Sequence, residues 1–430
     1  MCILPLLLTK TIHLTKHTFH TDYSHISGIS FLKFDSKATT FMRYFSFPGI
    51  FSLCCATLLT ACKLYYPVEQ INYKPVQVSI TEGKRLTMLL CGPCHYNAST
   101  KDYSGKKLED SPGMLGHIYA SNITKDPEAG IGSYAASELA YLIRTGISRT
   151  GKLMPYMKRP NISDEDLNTI IAYLQSDDTL VKASARNPGK TKYTPIGRLG
   201  ISMSKPLPYP TQASMELPAN KISRGRYLVD NLACYHCHSK SYPSLNIAEP
   251  EKSKGYMGGG NRMKGADNKT IQSPNLTFHA TGIANWTEED LRKALQEGIS
   301  RNNQALAFPM PLYSELTKDE VSSIYAYLKS IPPIDNNVKR KDTNLRDGSS
   351  GKELYTNYSC KSCHGTDGKS PFDLTQAFSK YDKETLKKYI QKPQAFGNNQ
   401  MPAFENIIPE EQYPVLIQYL KMLGQTHAPE

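Results

Sequence analysis

Six cysteines and three histidines stand in one repeated pattern. Cys91-Gly92-Pro93-Cys94-His95, Cys234-Tyr235-His236-Cys237-His238 and Cys360-Lys361-Ser362-Cys363-His364 each read C-x-x-C-H. That spacing suits covalent attachment of a c-type haem. Two thiols one helical turn apart can both add to the vinyl groups on one edge of a porphyrin. The His that follows at once sets an imidazole nitrogen beneath the iron. A single copy would also fit a zinc or redox C-x-x-C followed by a chance His. Three copies in one chain point to three covalent haems, held by Cys91 and Cys94, Cys234 and Cys237, and Cys360 and Cys363, with His95, His238 and His364 as axial ligands.

Each iron then needs a sixth ligand. Met or His is the usual choice, and Met/His ligation raises the reduction potential and leaves no open position. Met401, followed by Pro402, lies 37 residues after His364, and Met310, followed by Pro311, lies 72 residues after His238. The first motif has two candidates, Met154 and Met157. Met154 precedes a Pro, as Met310 does. Register favours Met157: Gly298 to Met310 is 12 residues, Gly146 to Met157 is 11, and Gly146 to Met154 only 8. His117 and His279 lie between motif and Met, and bis-His ligation through them would lower the potential. His236, inside a motif, is expected to face solvent.

The elements that position these residues repeat as well. A helix is expected from near Thr81 into Cys91, from Ser223 into Cys234 and from Ser350 into Cys360. Gly83, Gly225 and Gly351 lie 8, 9 and 9 residues before the first Cys. Gly inside a helix costs about 0.5–1 kcal/mol against Ala, so its recurrence suggests close approach of a second helix. That helix is readable from Ser163 to Leu174, from Thr317 to Leu328 and from Pro409 to Leu420, with Tyr173, Tyr327 and Tyr419 near its end. Ser163 and Thr317 are hydroxyl caps, and Thr317 with Glu320 fits a capping box. Pro414 is expected to kink the third helix or delay its start. Asn122-Ile123-Thr124 with Gly130-Ile131 parallels Asn275-Leu276-Thr277 with Gly282-Ile283, and Gly-Ile-Ser-Arg recurs at 146–149 and 298–301. This reads as an internal duplication.

The chain has 430 residues, which at about 100–200 per domain allows two to four. Net charge is +12 without a long Lys/Arg run, so no nucleic-acid partner is expected. Beyond the motifs, all four other cysteines (Cys2, Cys54, Cys55, Cys62) fall in the first 62 residues, leaving none for a later disulfide. Covalent haem attachment takes place outside the cytoplasmic membrane and requires an export signal. From Met42 the chain shows a short positive start, an apolar run from Tyr44 to Leu59 and then Leu59-Thr60-Ala61-Cys62, a signal-peptide pattern. The last four residues resemble a bacterial lipoprotein box, which makes Cys62 the candidate for acylation and Met42 the candidate start. The apolar run is short for a membrane span.

A Gly-bearing first helix crossing a Tyr-bearing last helix resembles the core of class I cytochromes c. The expected fold is all-α, three such domains in tandem, the first two a duplicated pair. The expected division is upstream segment and signal peptide 1–61, tether 62–78, domain 1 at 79–178, linker 179–215, domain 2 at 216–333, linker 334–347 and domain 3 at 348–430. The three motifs with the Asn-Ile/Leu-Thr and Gly-Ile-Ser-Arg stretches resemble the tri-haem cytochrome c subunits of membrane-bound alcohol dehydrogenases and gluconate 2-dehydrogenases. The resemblance implies a non-enzymatic electron-transfer subunit. It would take electrons from a flavin or quinoprotein dehydrogenase and pass them to quinone or an oxidase, on the periplasmic side of a bacterial membrane. A stand-alone periplasmic carrier and a peroxidase-like haem enzyme are the alternatives; the latter needs an open sixth position. Mass spectrometry of the mature N-terminus tests the anchor. An acylated Cys62 as first residue is expected, and an intact unmodified peptide spanning 55–65 would refute it.

Overall fold

The computed structural model describes residues 66–425, except 72, 74, 76–77, 205, 211–216, 267–268, 339–349, 370–371 and 375–376. These residues belong to one compact unit. Residues 1–61 and Cys62 lie outside them.

The fold is largely helical and organised by three helix crossings. The helix Ile80–Leu90 packs on Asp164–Leu174, Lys221–Asn231 on Lys318–Ser330, and Gly351–Asn357 on Tyr413–Gln425. Side-chain caps start them, at Ser163 and Thr317 as the sequence places them, and at Asn220 for the helix expected from Ser223. Ser79, Ser163, Thr317 and Ser350 accept hydrogen bonds from the amides of Glu82, Asp166, Glu320 and Glu353. These caps satisfy amides that the first helical turn leaves unpaired. Pro414 occupies the second position of its helix. That helix therefore begins at Tyr413 after the short turn Glu410–Gln412, and Pro414 delays the start.

The glycines explain the crossings. A Cβ on Gly83 would lie 2.7 Å from Tyr173 Cβ and collide with the Thr169 carbonyl. A Cβ on Gly225 would lie 2.7 Å from Tyr327 Cβ and collide with the Ser323 carbonyl, and Gly351 would meet Tyr419 in the same way. Only a residue without a side chain lets the two backbones come this near. Around each crossing lies a hydrophobic cluster. The first holds Leu86, Leu167, Ile170 and Tyr173, the second Leu228, Val321, Ile324 and Tyr327, and the third Leu354, Tyr355, Tyr413 and Leu416. Each fully buried Leu or Ile contributes roughly 1.5–3 kcal/mol.

The two similar stretches have the same hydrogen bonds. Asn122 Oδ1 accepts from the amide (2.9 Å) and hydroxyl (2.7 Å) of Thr124, and Asn275 Oδ1 accepts from Thr277 at the same distances. Bridges pair Ile147 with Leu153 and Ile299 with Ala305. The first and second helix pairs also meet reciprocally. Arg85, two residues after Gly83, donates to Glu320 of the opposite pair at 2.9 and 3.0 Å. Tyr227, two residues after Gly225, donates to Asp166 at 2.5 Å. Asp166 and Glu320 each stand three residues after their cap, so like positions make the same contact in both directions.

Two findings depart from the sequence expectation. Three two-stranded antiparallel ribbons accompany the helices: Lys106–Lys107 with Tyr119–Ala120, Gly116–His117 with Lys192–Tyr193, and Arg262–Lys264 with Thr270–Gln272. Strands of two or three residues carry too few side chains for a period-2 signal. The stretch read as a linker at 179–215 also has structure of its own. Val181 is fully buried in the first cluster, Ser184 and Arg186 carbonyls accept from Asn122, and Pro195–Met203 is helical. Its polar side chains suggested solvent, but its backbone carbonyls serve buried partners.

Replacing Gly225 by Ala inserts a methyl group between backbones with no room to yield. The holoprotein is expected to lose about 1–3 kcal/mol, read as a lower denaturant midpoint with unchanged slope. An exposed control, Gly200→Ala, meets nothing within 4 Å and should leave the midpoint within error or raise it.

Candidate haem sites

Each motif follows directly from a crossing helix. Ile80–Leu90 ends at Cys91, and Gly92–His95 forms the next turn, with Cys94 and His95 amides both bonded to the Cys91 carbonyl (3.2 and 2.8 Å). In the other two motifs a left-handed residue redirects the chain first: Ala233 at φ 57° before Cys234, and Ser359 at φ 60° before Cys360. The turns Cys234–His238 and Lys361–His364 follow. In all three, one helical turn separates the thiols, as thioether attachment to one porphyrin edge needs.

The three motif histidines share one arrangement. His95 Nδ1 bonds the Ser121 carbonyl at 2.7 Å, His238 Nδ1 the Pro274 carbonyl at 2.9 Å, and His364 Nδ1 the Phe372 carbonyl at 2.8 Å. A carbonyl only accepts, so each Nδ1 carries the proton. Each Nε2 is left with its lone pair, the form a metal-bound imidazole requires. Ser121 and Pro274 sit beside Asn122 and Asn275, whose side-chain bonds hold that backbone. The repeated Asn-x-Thr stretch therefore orients the imidazoles of the first two motifs.

The surroundings keep these groups neutral. Burial pushes the thiols of Cys91, Cys234 and Cys360 up to about 12 and those of Cys237 and Cys363 up to about 11. Burial lowers the His95 and His364 imidazoles. Among the described residues no group of three or more His, Cys, Asp or Glu is placed to hold a metal ion. Paired thiols one helical turn apart and an imidazole with an unprotonated Nε2 fit a covalently held haem.

The methionines are placed unequally. Met310 packs partly buried against the cluster that Cys234 also joins, and Met401 against that of Cys360. Cys91 packs against the first cluster, but neither Met154 nor Met157 does. Both are half-buried, in or beside the turn Pro155–Met157. Backbone register separates them. Met154 and Leu306 amides bond the Gly146 and Gly298 carbonyls, both at 2.7 Å, so Met154 stands where the second site has Leu306. Met157 lies three residues past that point and Met310 four. Counting back from Arg159 and Tyr313, whose amides bond the Ile143 and Leu295 carbonyls, Met157 is two residues ahead and Met310 three. The rivals are elsewhere engaged: His117 is exposed on a ribbon, and His279 Nδ1 lies 2.9 Å from the Thr281 hydroxyl.

His236 corrects the expectation of a solvent-facing ring. Its Nε2 is buried without a hydrogen-bond partner, and burial lowers its imidazole to about 3. The charge of Arg159 acts on His236, Tyr235 and Tyr313 and equally on Cys91, Cys94 and His95. Leu89, two residues before Cys91, packs in the second cluster, and so the first and second motifs share a wall. The second and third do too. The Phe308 ring meets Phe372 edge-on at 5.7 Å, the Phe308 backbone hydrogen-bonds the Cys363 thiol, and a Cβ on Gly298 would lie 3.0 Å from Pro402. Tyr96, beside His95, donates to the Gly397 carbonyl at 3.2 Å, joining the first to the third. No signal in the sequence marked Arg159, Phe308 or Phe372, because their partners are distant along the chain.

Comparison with known proteins agrees with this geometry. Residues 80–177 match the cytochrome c family, and 346–420 match that of cytochrome c oxidase, cbb3-type, subunit III. The chain carries cytochrome c domains. It is 27% identical to the fructose dehydrogenase cytochrome subunit of Gluconobacter japonicus over 77% of this cytochrome and 73% of that protein. It is 27% identical to the gluconate 2-dehydrogenase cytochrome c subunit of Pantoea cypripedii, covering 65% and 67% of the two chains. The cytochrome c subunit of the quinone-dependent alcohol dehydrogenase of Gluconobacter oxydans is 26% identical, over 65% of this chain and 61% of that one. These relatives are the cytochrome subunits of dehydrogenases, not their catalytic subunits.

One buried carboxyl near the second site titrates abnormally. Asp230, four residues before Cys234, is raised from 3.8 to about 7, chiefly by burial. Arg226, 3.7 Å away and half-exposed, opposes this only weakly. A carboxyl raised in the folded state stabilises fully below its unfolded value, and that stability is lost as pH rises through the folded value. The cytochrome's denaturation midpoint is expected to fall as pH climbs from about 4 through about 7. Asp230→Asn should flatten that decline and gain stability mainly above pH 7. An equal slope in both proteins would refute the assignment.

Proposed function

We propose that this cytochrome carries three covalent haems c and conducts electrons from a dehydrogenase subunit to a quinone or an oxidase. The observation that carries it is the threefold arrangement of two thiols one helical turn apart and a motif His whose Nδ1 bonds a backbone carbonyl, which makes Nε2 the unprotonated nitrogen. In this reading Cys91 and Cys94, Cys234 and Cys237, and Cys360 and Cys363 form the thioethers, each S–H adding across a vinyl group. His95, His238 and His364 would each supply one iron ligand, and Met157, Met310 and Met401 the second. When bound, the haem supplies a one-electron change at iron. The chain's part is to close both axial positions, exclude water and hold the ligands rigidly. Closed Met/His ligation suits electron transfer and leaves no site for a substrate. Three domains, 79–178, 216–333 and 348–430, would each hold one haem. The shared hydrogen-bond patterns of the first two support their origin by duplication.

The relatives' names support a dehydrogenase as donor. The lipoprotein-like stretch ending at Cys62 supports a lipid-anchored position on the periplasmic side of a bacterial membrane. Among the described residues no helix is long and apolar enough to cross a membrane. A peroxidase-like reading has one observation in its favour, the first site, where neither Met154 nor Met157 packs against the cluster.

Spectra of the purified holoprotein separate these readings. Haem staining with a pyridine-haemochrome assay should give three haems per chain, and a Cys-to-Ala pair in any one motif should remove one. Met157→Ala should convert one haem to high spin and remove about a third of the Fe–S charge-transfer band, with Met154→Ala unchanged. The reverse result would move the ligand to Met154. A high-spin first haem in the unaltered protein would instead support the enzymatic reading.

A further inference from the structure

The helix Pro195–Met203 turns an apolar face outward. Ile196, Leu199 and Met203 are 66%, 53% and 73% exposed. Their spacing of three and four puts them on one helical stripe. Gly197 and Ile201, on the other side, are buried, and a Cβ on Gly197 would stand 2.7 Å from the Leu115 carbonyl. Met114, whose carbonyl accepts from the Thr194 hydroxyl at the helix start, is 58% exposed as well. Single exposed apolar residues are ordinary, but a contiguous stripe marks a surface that is covered in use.

Two further observations indicate what covers it. Tyr66 pins the far end of this helix: its hydroxyl donates to the Ser204 carbonyl at 2.8 Å and lies 3.2 Å from the Ile201 carbonyl. Tyr66 is four residues from Cys62, so the chain between them reaches at most about 14 Å. A lipid on Cys62 would therefore hold this helix at a membrane. The charge also fits. Residues 179–204 contain five basic side chains, Lys182, Arg186, Lys190, Lys192 and Arg198, and no Asp or Glu. All five are exposed. Basic groups flanking an apolar helical face favour an anionic lipid surface.

We propose that Pro195–Met203 lies in the lipid interface, with Ile196, Leu199 and Met203 inserted among the acyl chains and the neighbouring Lys and Arg residues on headgroup phosphates. The inference rests on the reading of Cys62 as the acylated residue, and makes the anchor two-part. A single acyl chain binds membranes only marginally, and a second contact of this kind is what converts it to stable attachment. It also fixes the orientation of the first site relative to the bilayer, which a flexible tether alone would not do.

The test uses the full-length holoprotein in vesicles of phosphatidylethanolamine and phosphatidylglycerol containing a trace of phosphatidylcholine with a photoreactive acyl chain. After illumination, lipid adducts are mapped by mass spectrometry, and the acylation of Cys62 is read from the same digest. Adducts are expected within Pro195–Met203. The variant Ile196→Ser/Leu199→Ser/Met203→Ser should keep its haem content and lose those adducts about tenfold. An acylated Cys62 with adducts elsewhere but none on this helix would overturn the proposal and leave the lipid anchor standing. Helix adducts with an unmodified Cys62 would uphold it and remove the lipid anchor. No helix adducts in vesicles, with shielding from solvent labelling only after a dehydrogenase subunit is added, would overturn it in favour of a protein partner.

Discussion

The structure depends on one steric fact repeated three times: a glycine in the helix ahead of each C-x-x-C-H, lying against the backbone of a later helix. Gly83, Gly225 and Gly351 have no space for a Cβ. The contact sets how closely the two helices approach and therefore where the motif begins. It also joins the front of each motif to the far end of the segment that bears its methionine. The thiols and imidazole are neighbours in sequence, whereas the methionines stand tens of residues further on, and this crossing is what returns the chain to itself. An alanine in its place would be a better helix former and a worse structural choice, because local propensity is worth less here than close approach of the backbones.

A second constraint acts on the imidazoles. Each motif His gives its Nδ1 proton to a backbone carbonyl, and in two cases that carbonyl precedes an Asn whose side chain ties down the following Thr. The ring is oriented by backbone rather than by a mobile side chain. Burial pushes the motif thiols up and lowers the His95 and His364 imidazoles, so both kinds of group are held in their neutral forms.

The contacts among the three motifs give this arrangement its collective character. Arg159 acts on the surroundings of the first two, Phe308 and Phe372 join the second to the third, and Tyr96 joins the third to the first. The reciprocal contacts of Arg85 with Glu320 and of Tyr227 with Asp166 bind the first two helix pairs through equivalent positions. Substitution in one motif's wall is therefore felt at its neighbour, and the motifs do not behave as beads on a flexible string.

Much of this was legible in the residues. The motifs, the crossing glycines with their tyrosines, the caps at Ser163 and Thr317, and the parallel Asn-x-Thr stretches are local or periodic signals. They depend on neighbours within a few positions, and short-range chemistry is what a sequence displays. The ribbons, the winding of 179–204 onto the first cluster, the burial of His236 and the walls shared between motifs were not legible. The ribbons are too short to show a period, and elsewhere the deciding partner lies tens to hundreds of residues away: Asn122 for the Ser184 carbonyl, Gly397 for Tyr96, Phe372 for Phe308. Sequence alone determined which atoms can bind haem and at what spacing. Tertiary structure decided which nitrogen of each imidazole carries the proton, because the carbonyl that accepts its hydrogen bond arrives only when the chain has folded.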